Sequence, residues 1–307
     1  MDSKSHNKHL HPLEVTEENE STAILDTHRY VNGRRFHNVT GVEYFMPNDE
    51  QEISRLEMSY LLVKYLWQNN FSSPIHEKLT NENMRVIDIG CGTGKWSLEM
   101  AEMYPKVTFI GIDISTVFPT ETKFSNVTFF LANVLDGLPF EKNTFDFVFQ
   151  RFLTSSYTNK QWEKVINELI RILKPGGYLE LMEKDNNWIS IGPSSKILQE
   201  SFLKLLGEKD INPSMNLKIE QLLKDSNQLI DINIETKDIL LGSPGGIFGE
   251  LTLKNQLEAF DHMIPYLSSY MELSIKEFKN KYLDTIPMEV NKYKTCIKCY
   301  RHWGRKI

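Results

Sequence analysis

The sequence predicts an α/β fold with a mainly parallel sheet and helices on both of its faces. Three observations predict it. Over residues 84–183 short apolar runs alternate with amphipathic stretches, the pattern of successive strand and helix units. Three of the apolar runs end in a polar side chain, Asp88, Asp113 or Asn133, where a strand should leave the sheet. The first run continues into Gly90-Cys91-Gly92-Thr93-Gly94, whose glycines at alternate positions permit positive φ and a close backbone approach by a ligand.

The elements follow in order. Residues 1–28 are polar, hold four of the eight histidines and have little to bury, so a disordered tail is expected. A solvated tail is also the simpler reading of His6, His9 and His11 than a metal clip. From Asn48 a capped helix is expected, because Ile53, Leu56, Tyr60, Val63 and Trp67 recur at helical spacing. Strands are expected at 85–89, 107–112, 127–131, 145–149 and 178–183, with a helix at 95–104 after the glycine loop. A helix at 159–173 is defined by Trp162, Val165, Ile166, Leu169, Ile170 and Leu173 at the 3.6 period, and Pro175-Gly176-Gly177 stops it. Beyond these come helices near 194–206, 215–226, 252–267 and 273–282, with late strands near 230–241 and 292–302.

Composition narrows the class. A 40% hydrophobic share over 307 residues supports a sizeable core. The formal charge of -6 with no Lys/Arg block argues against a nucleic-acid or anionic-membrane partner. No apolar run reaches the ~18 residues that span a bilayer, and the N-terminus lacks the hydrophobic core of a signal peptide. Three cysteines fit a reducing compartment, so an intracellular, cytoplasmic rather than nuclear, protein is expected. Cys296 and Cys299 form a CxxC without a second pair, and in a strand they would point to opposite faces, so no metal site is expected.

The strand ends suggest chemistry. A dinucleotide fingerprint has its last two glycines three apart and cradles a phosphate; here they fall at 90, 92 and 94, with Asp88 two places ahead. Asp88 would repel a pyrophosphate but suits a ligand with an ammonium group and no phosphate, which describes S-adenosylmethionine. Asp113, 23 residues after Gly90, can accept both ribose hydroxyls, and Asn133 can bond an adenine edge.

With these residues the chain resembles the class I S-adenosylmethionine-dependent methyltransferases, and most of all the fungal group related to the LaeA-type regulators of secondary metabolism. The general likeness rests on the Asp88–Gly94 loop, Asp113, Asn133, Gly137-Leu138-Pro139-Phe140, Phe145-Asp146-Phe147-Val148 and Lys174-Pro175-Gly176-Gly177. The narrower one rests on Arg35-Phe36-His37, Pro47-Asn48-Asp49-Glu50 and Gly304-Arg305-Lys306. Relatives often carry Asp where Asn133 stands, and an amide can still bond adenine. The resemblance implies a Rossmann-like sheet of seven strands completed by an antiparallel hairpin with an antiparallel last strand. It implies four regions: a tail at 1–28, a helical cover over the cleft at 29–83, a cofactor core at 84–186, and acceptor-site helices with the last two strands at 187–307. It also implies cofactor contacts from Asp88, Gly90, Cys91, Gly92, Gly94, Asp113, Ile114, Asn133, Val134 and Gln150.

Transfer from a sulfonium is already activated, so no protein nucleophile is required and no catalytic residue is assigned. If a base assists, His37, Asp146 and Glu183 are the candidates, each with a structural reading as well. Arg151 is expected in an internal salt bridge or hydrogen-bond network, and Trp96 in helix packing rather than over the sulfonium. The acceptor site is expected beneath 36–67 and parts of 187–270, where Phe36, Tyr44, Phe45, Trp188, Phe248 and Tyr266 favour an apolar small molecule. Two other classes are weighed. One is a cofactor-binding regulator acting through a protein partner, with the tail as docking segment. The other is a nicotinamide-dependent oxidoreductase, disfavoured by the glycine spacing and Asp88.

Overall fold

The computed structural model describes residues 28–39, 45–81 and 83–307, so the expectations for residues 1–27 and for Tyr44 fall outside the described residues. The chain enters as a hairpin that the helical expectation for 29–83 did not include. Strands β1 (His28–Val31) and β2 (Arg34–His37) pair antiparallel around Asn32-Gly33, at φ 48° and 77°. Those positive angles are what a two-residue hairpin turn of matching twist demands. His28 thus belongs to a strand and not to a tail.

Helix α1 (Glu50–Trp67) starts one residue later than expected. Its cap is Asp49, whose Oδ1 accepts the Glu52 N–H at 3.2 Å, while Arg34 clamps the same carboxylate. Asn48 instead ties the hairpin to the core: its amide donates to Ser115 Oγ at 2.9 Å and accepts from Arg35 Nε at 3.1 Å. A short α2 (His76–Asn81) precedes the sheet.

The sheet has seven strands, β3 (Arg85–Ile89), β4 (Thr108–Asp113), β5 (Val127–Leu131), β6 (Phe145–Arg151), β7 (Leu173–Lys184), β8 (Leu229–Leu240) and β9 (Cys296–Lys306), in the order β5-β4-β3-β6-β7-β9-β8. All neighbours from β5 to β7 run parallel, and β9 runs antiparallel between β7 and β8. Side-chain alternation splits the strands between two cores. Val86, Phe109, Phe147 and Phe149 join the core of α1 and of α3 (Lys95–Met103). Ile87, Ile89, Val148 and Leu181 pack instead against Trp162, Val165 and Leu169 of α4 (Asn159–Ile172). A Thr158/Gln161 capping box starts α4, satisfying two otherwise free donors.

The second half is helical: α5 (Pro193–Glu208), α6 (Ile219–Asp225), α7 (Gly246–His262), α8 (Ile264–Tyr270), α9 (Ile275–Phe278) and α10 (Ile286–Tyr293). The stretch expected as one helix at 252–267 divides at Met263, with a proline in the first turn of α8. The late strand expected from 292 begins at Cys296, because α10 runs to Tyr293 and Lys294 turns through φ 53°. Cys296 and Cys299 are free thiols in β9. Among the described residues no helix is long and apolar enough to cross a membrane.

Candidate functional site

Strands β4 and β5 lie on one side of β3, and β6 and β7 on the other. A crevice must open beyond the carboxyl ends at such a switch point. It does, and Ile53, Leu56 and Tyr60 of α1 close it from the far side, leaving about 1240 Å³ of empty space that includes the part open to solvent.

The glycine loop divides its labour. Gly90, Gly92 and Gly94 all take positive φ, at 64°, 54° and 70°. A Cβ on Gly90 would come within 2.8 Å of Leu153, and one on Gly94 within 2.6 Å of the Phe129 ring, so these two serve packing. At Gly92 a Cβ would meet nothing within 4 Å, and Gly92 lines the cleft. It is the position where a missing side chain leaves room for a ligand. Cys91 is buried beside it, and burial pushes its thiol well up, which makes it inert.

Asp113 lines the cleft at the end of β4 and has a second task. Its Oδ2 accepts the Gly92 N–H at 2.8 Å and its Oδ1 the Ser115 N–H at 2.9 Å, so the carboxylate holds the glycine loop as well as offering its remaining lone pairs to the cleft. Burial pushes its carboxyl up, against those N–H donors. Ile114, Asn133 and Val134 also line the cleft. The Asn133 side chain caps a single turn, accepting from the Leu135 N–H and donating to Asp136, both at 3.1 Å.

Three of the expected cofactor residues do not reach the wall: Asp88, Gly94 and Gln150. Asp88 is buried under the loop, with Oδ2 accepting from Ser97 Oγ at 2.9 Å and Oδ1 unpartnered. Burial pushes it up to about 6, and the positive charge of Arg151 opposes the shift. Gln150 is fully buried because it alternates away from the cleft, and its neighbour Arg151 takes the wall position. Arg151 corrects its own expectation too. Among the described residues it forms no salt bridge; its guanidinium lies 5.1 Å from the centre of the Tyr60 ring. Trp96 packs as expected, stacked 4.2 Å from Phe149 with its N–H donated to the Asn70 carbonyl at 2.9 Å.

A second cavity adjoins the first, with about 1090 Å³ of empty space including its open part. Leu56, Ser59, Phe152 and Ser156 line both. Phe45, Trp188, Phe202, Phe260 and Met263 wall the second, and Glu183 and Lys184 stand at the end of β7 in its lining. Phe45 and Trp188 were expected there, whereas Phe36 and Tyr266 pack edge to face on one another with centroids 5.8 Å apart, and Phe248 packs on Tyr65 at 5.1 Å.

The base candidates separate. Asp146 starts β6 at the opposite end of the sheet, where it accepts from the Arg85 N–H and pairs with Lys174, both at 2.8 Å, so it is structural. His37 lines the first cleft, and burial lowers its pKa. Glu183 accepts from the N–H groups of Leu153 and Thr154 at 3.0 and 3.1 Å and from the Thr154 hydroxyl at 2.8 Å; burial pushes it up to about 7. Tyr157 and Lys184 were not singled out as lining residues, although Lys184 follows directly on an expected strand end; of the Gln150-Arg151-Phe152 end expected by topology to face the cleft, Arg151 and Phe152 line it.

Comparison with known proteins gives this geometry a class. Residues 86–177 match the family described as "Methyltransferase domain". The N-methyltransferase verN of Clonostachys rogersoniana is 24% identical over 273 residues, spanning 86% of this chain and 92% of that protein. The secondary metabolism regulator laeA of Coprinopsis cinerea is 31% identical over 156 residues, spanning 50% of this chain but 38% of laeA. Phosphoethanolamine N-methyltransferase 2 of Haemonchus contortus, solved with S-adenosyl-L-methionine, shares the fold with a TM-score of 0.50 at 17% identity, covering 89% of this chain and 62% of that one. The chain is a class I S-adenosylmethionine-dependent methyltransferase. Within that class it is LaeA-like, and S-adenosylmethionine is its cofactor. The cleft suits that molecule: open space over Gly92, free lone pairs on Asp113, apolar Ile112 and Val134 for a flat ring, and the Arg151 cation for a carboxylate.

Proposed function

We propose that this methyltransferase acts on an apolar small molecule held in the second cavity, with the cofactor contacts contributed by Gly90, Cys91, Gly92, Asp113, Ile114, Asn133 and Val134. The observation that carries the reading is the shared wall: Leu56, Ser59, Phe152 and Ser156 border both cavities, so two ligands can meet there. The bound cofactor supplies a methyl group on a positively charged sulfur. The protein's part is therefore alignment and exclusion of water, which α1 and the aromatic wall provide. In this reading residues 29–83 form the cover, 84–186 the cofactor core and 187–307 the acceptor side. The three cysteines, free in the structure, suit a reducing compartment such as the cytoplasm.

The likeness to a protein named as a regulator supports a second reading, in which the cofactor is bound and a protein partner is the target. Calorimetry with S-adenosylmethionine and with NAD comes first, followed by assay of S-adenosylhomocysteine release with fractionated metabolite extract. Cofactor binding without NAD binding, and turnover in an apolar fraction, are expected. Turnover confined to protein fractions would favour the second reading.

A further inference from the structure

We propose that Lys184 is the group that takes the proton from the acceptor's hydroxyl or amino group as it is methylated. The inference rests on the reading of the second cavity as the acceptor site.

The position follows from topology. Lys184 is the last residue of β7, which pairs in parallel with β6, so its side chain emerges at the carboxyl end of the sheet beside the cleft. Its Nζ is 3.3 Å from Ser59 Oγ and 4.7 Å from the centre of the Phe152 ring. Ser59 and Phe152 both border the two cavities, so the amine stands at the junction that an acceptor atom must occupy to face the cofactor. His37 lines only the first cleft, and both oxygens of Glu183 are already committed to Leu153 and Thr154.

The surroundings favour the neutral amine. Among the described residues no carboxylate forms a salt bridge with Lys184: Glu183 is committed as above, and Asp185 accepts from the Asn187 N–H and side chain at 2.8 and 3.0 Å. Three groups face it from other elements. Arg55 of α1 and Arg151 of β6 repel the ammonium form, while Cys299, its partner on β9, acts the other way. Burial is the largest influence and acts in the same direction as the arginines, so the pKa falls to about 8.

The step balances within the ternary complex. A lone pair on the acceptor oxygen or nitrogen forms the new bond to the methyl carbon, the carbon–sulfur bond breaks with its pair retained by sulfur, and the acceptor's proton passes to the Lys184 lone pair. The resulting ammonium returns the proton to solvent.

Two variants test the assignment. Lys184→Arg keeps the charge and the contact with Phe152 but cannot lose a proton, and Lys184→Met keeps the volume. Both should bind S-adenosylmethionine within about twofold of wild type by calorimetry and lose turnover with the active extract fraction by roughly a hundredfold at pH 7, the lower end of what a general base supplies. The wild-type rate should climb with pH and level off near 8, and neither variant should show that plateau. Apart from activity, acetic anhydride labelling of the ligand-free protein, read by mass spectrometry, should find Lys184 half-reactive near pH 8. Turnover within tenfold of wild type in Lys184→Arg would overturn the proposal, as would half-labelling of Lys184 above pH 10. Failure of wild-type protein to bind S-adenosylmethionine would instead strike the underlying assignment of the site.

Discussion

The two cavities that meet at Ser59 and Phe152 are built in opposite ways. The cofactor cleft is made by strand ends and the short loops that follow them, so backbone N–H groups, glycines and carboxylates a few residues apart do most of the shaping. The second cavity is assembled from side chains of α1, α5, α7 and the ends of β6 and β7, which are far apart in sequence. In the proposed reading the first holds the cofactor, a ligand that is the same across a superfamily, and the second holds the acceptor. The difference teaches where specificity resides, in packing between distant segments rather than in a motif.

The comparison breaks most sharply at Gly92. A Val there would be held at φ 54°, a conformation costing a β-branched residue more than the ~1–2 kcal/mol typical of L-residues. Its side chain would also project into the open space that borders the cleft. Gly92→Val should weaken cofactor affinity by roughly a hundredfold, about 2.7 kcal/mol, with little change in the far-ultraviolet circular dichroism. Affinity within threefold of wild type would mean that the loop does not approach the ligand.

The same contrast explains what could be read in advance. Asp88 to Gly94, the apolar period of α4 and the strands from β3 to β6 announce themselves through spacings of two to four residues, and all appear within a few residues of where they were expected, whereas β7 begins at Leu173 and takes in the Pro175-Gly176-Gly177 expected to separate it from α4. The misses arise where a long-range contact decides. Asn48 and Asp49 are equally good caps in sequence; Arg34 and Ser115, brought in by the hairpin and β4, allot the cap to Asp49. Arg151 and Gln150 are neighbours at a strand end, and only the register of β6 tells which of them faces the cleft. Lys184 looks like an ordinary strand-terminal lysine until α1 covers it with Ser59 and Arg55. The Asn32-Gly33 turn is different, because its dipeptide is a local hairpin signal that needs no long-range contact to be legible.

A smaller effect is expected at Asp113, where one side chain belongs to both the loop and the cleft. Charge-assisted hydrogen bonds are worth about 1.5 to 3 kcal/mol each, so Asp113→Ala should weaken S-adenosylmethionine binding by at least roughly tenfold. Loss of the loop's anchor and loss of the ribose contact would both contribute. Asp113→Asn separates them, since its amide oxygen can still accept the Gly92 N–H while the negative charge is gone. Calorimetry showing that Asn restores wild-type affinity would assign the residue to the loop alone; an affinity close to that of the Ala variant would assign it to the ligand.

The mildest prediction sharpens the comparison from the acceptor side. Phe260 of α7 is buried, and its ring meets Trp188 and Phe202 edge to face with both centroids 5.8 Å away, so it is the centre of the aromatic wall. Such pairs contribute about 0.5 to 1.5 kcal/mol each beyond area burial. Replacing the ring by leucine keeps the site apolar and avoids the large cavity that alanine would leave. Phe260→Leu should therefore lower the melting temperature by a few degrees, since about 1 kcal/mol moves a domain of this size by roughly 2 to 4 °C. The KM for the acceptor in the active fraction should rise severalfold, because the wall that positions an apolar molecule becomes less rigid. Cofactor affinity should stay within about twofold, as Phe260 does not line the first cleft. A cofactor affinity that falls in step with acceptor KM would show that the two cavities are energetically one site, and the division of labour argued from their construction would have to be abandoned.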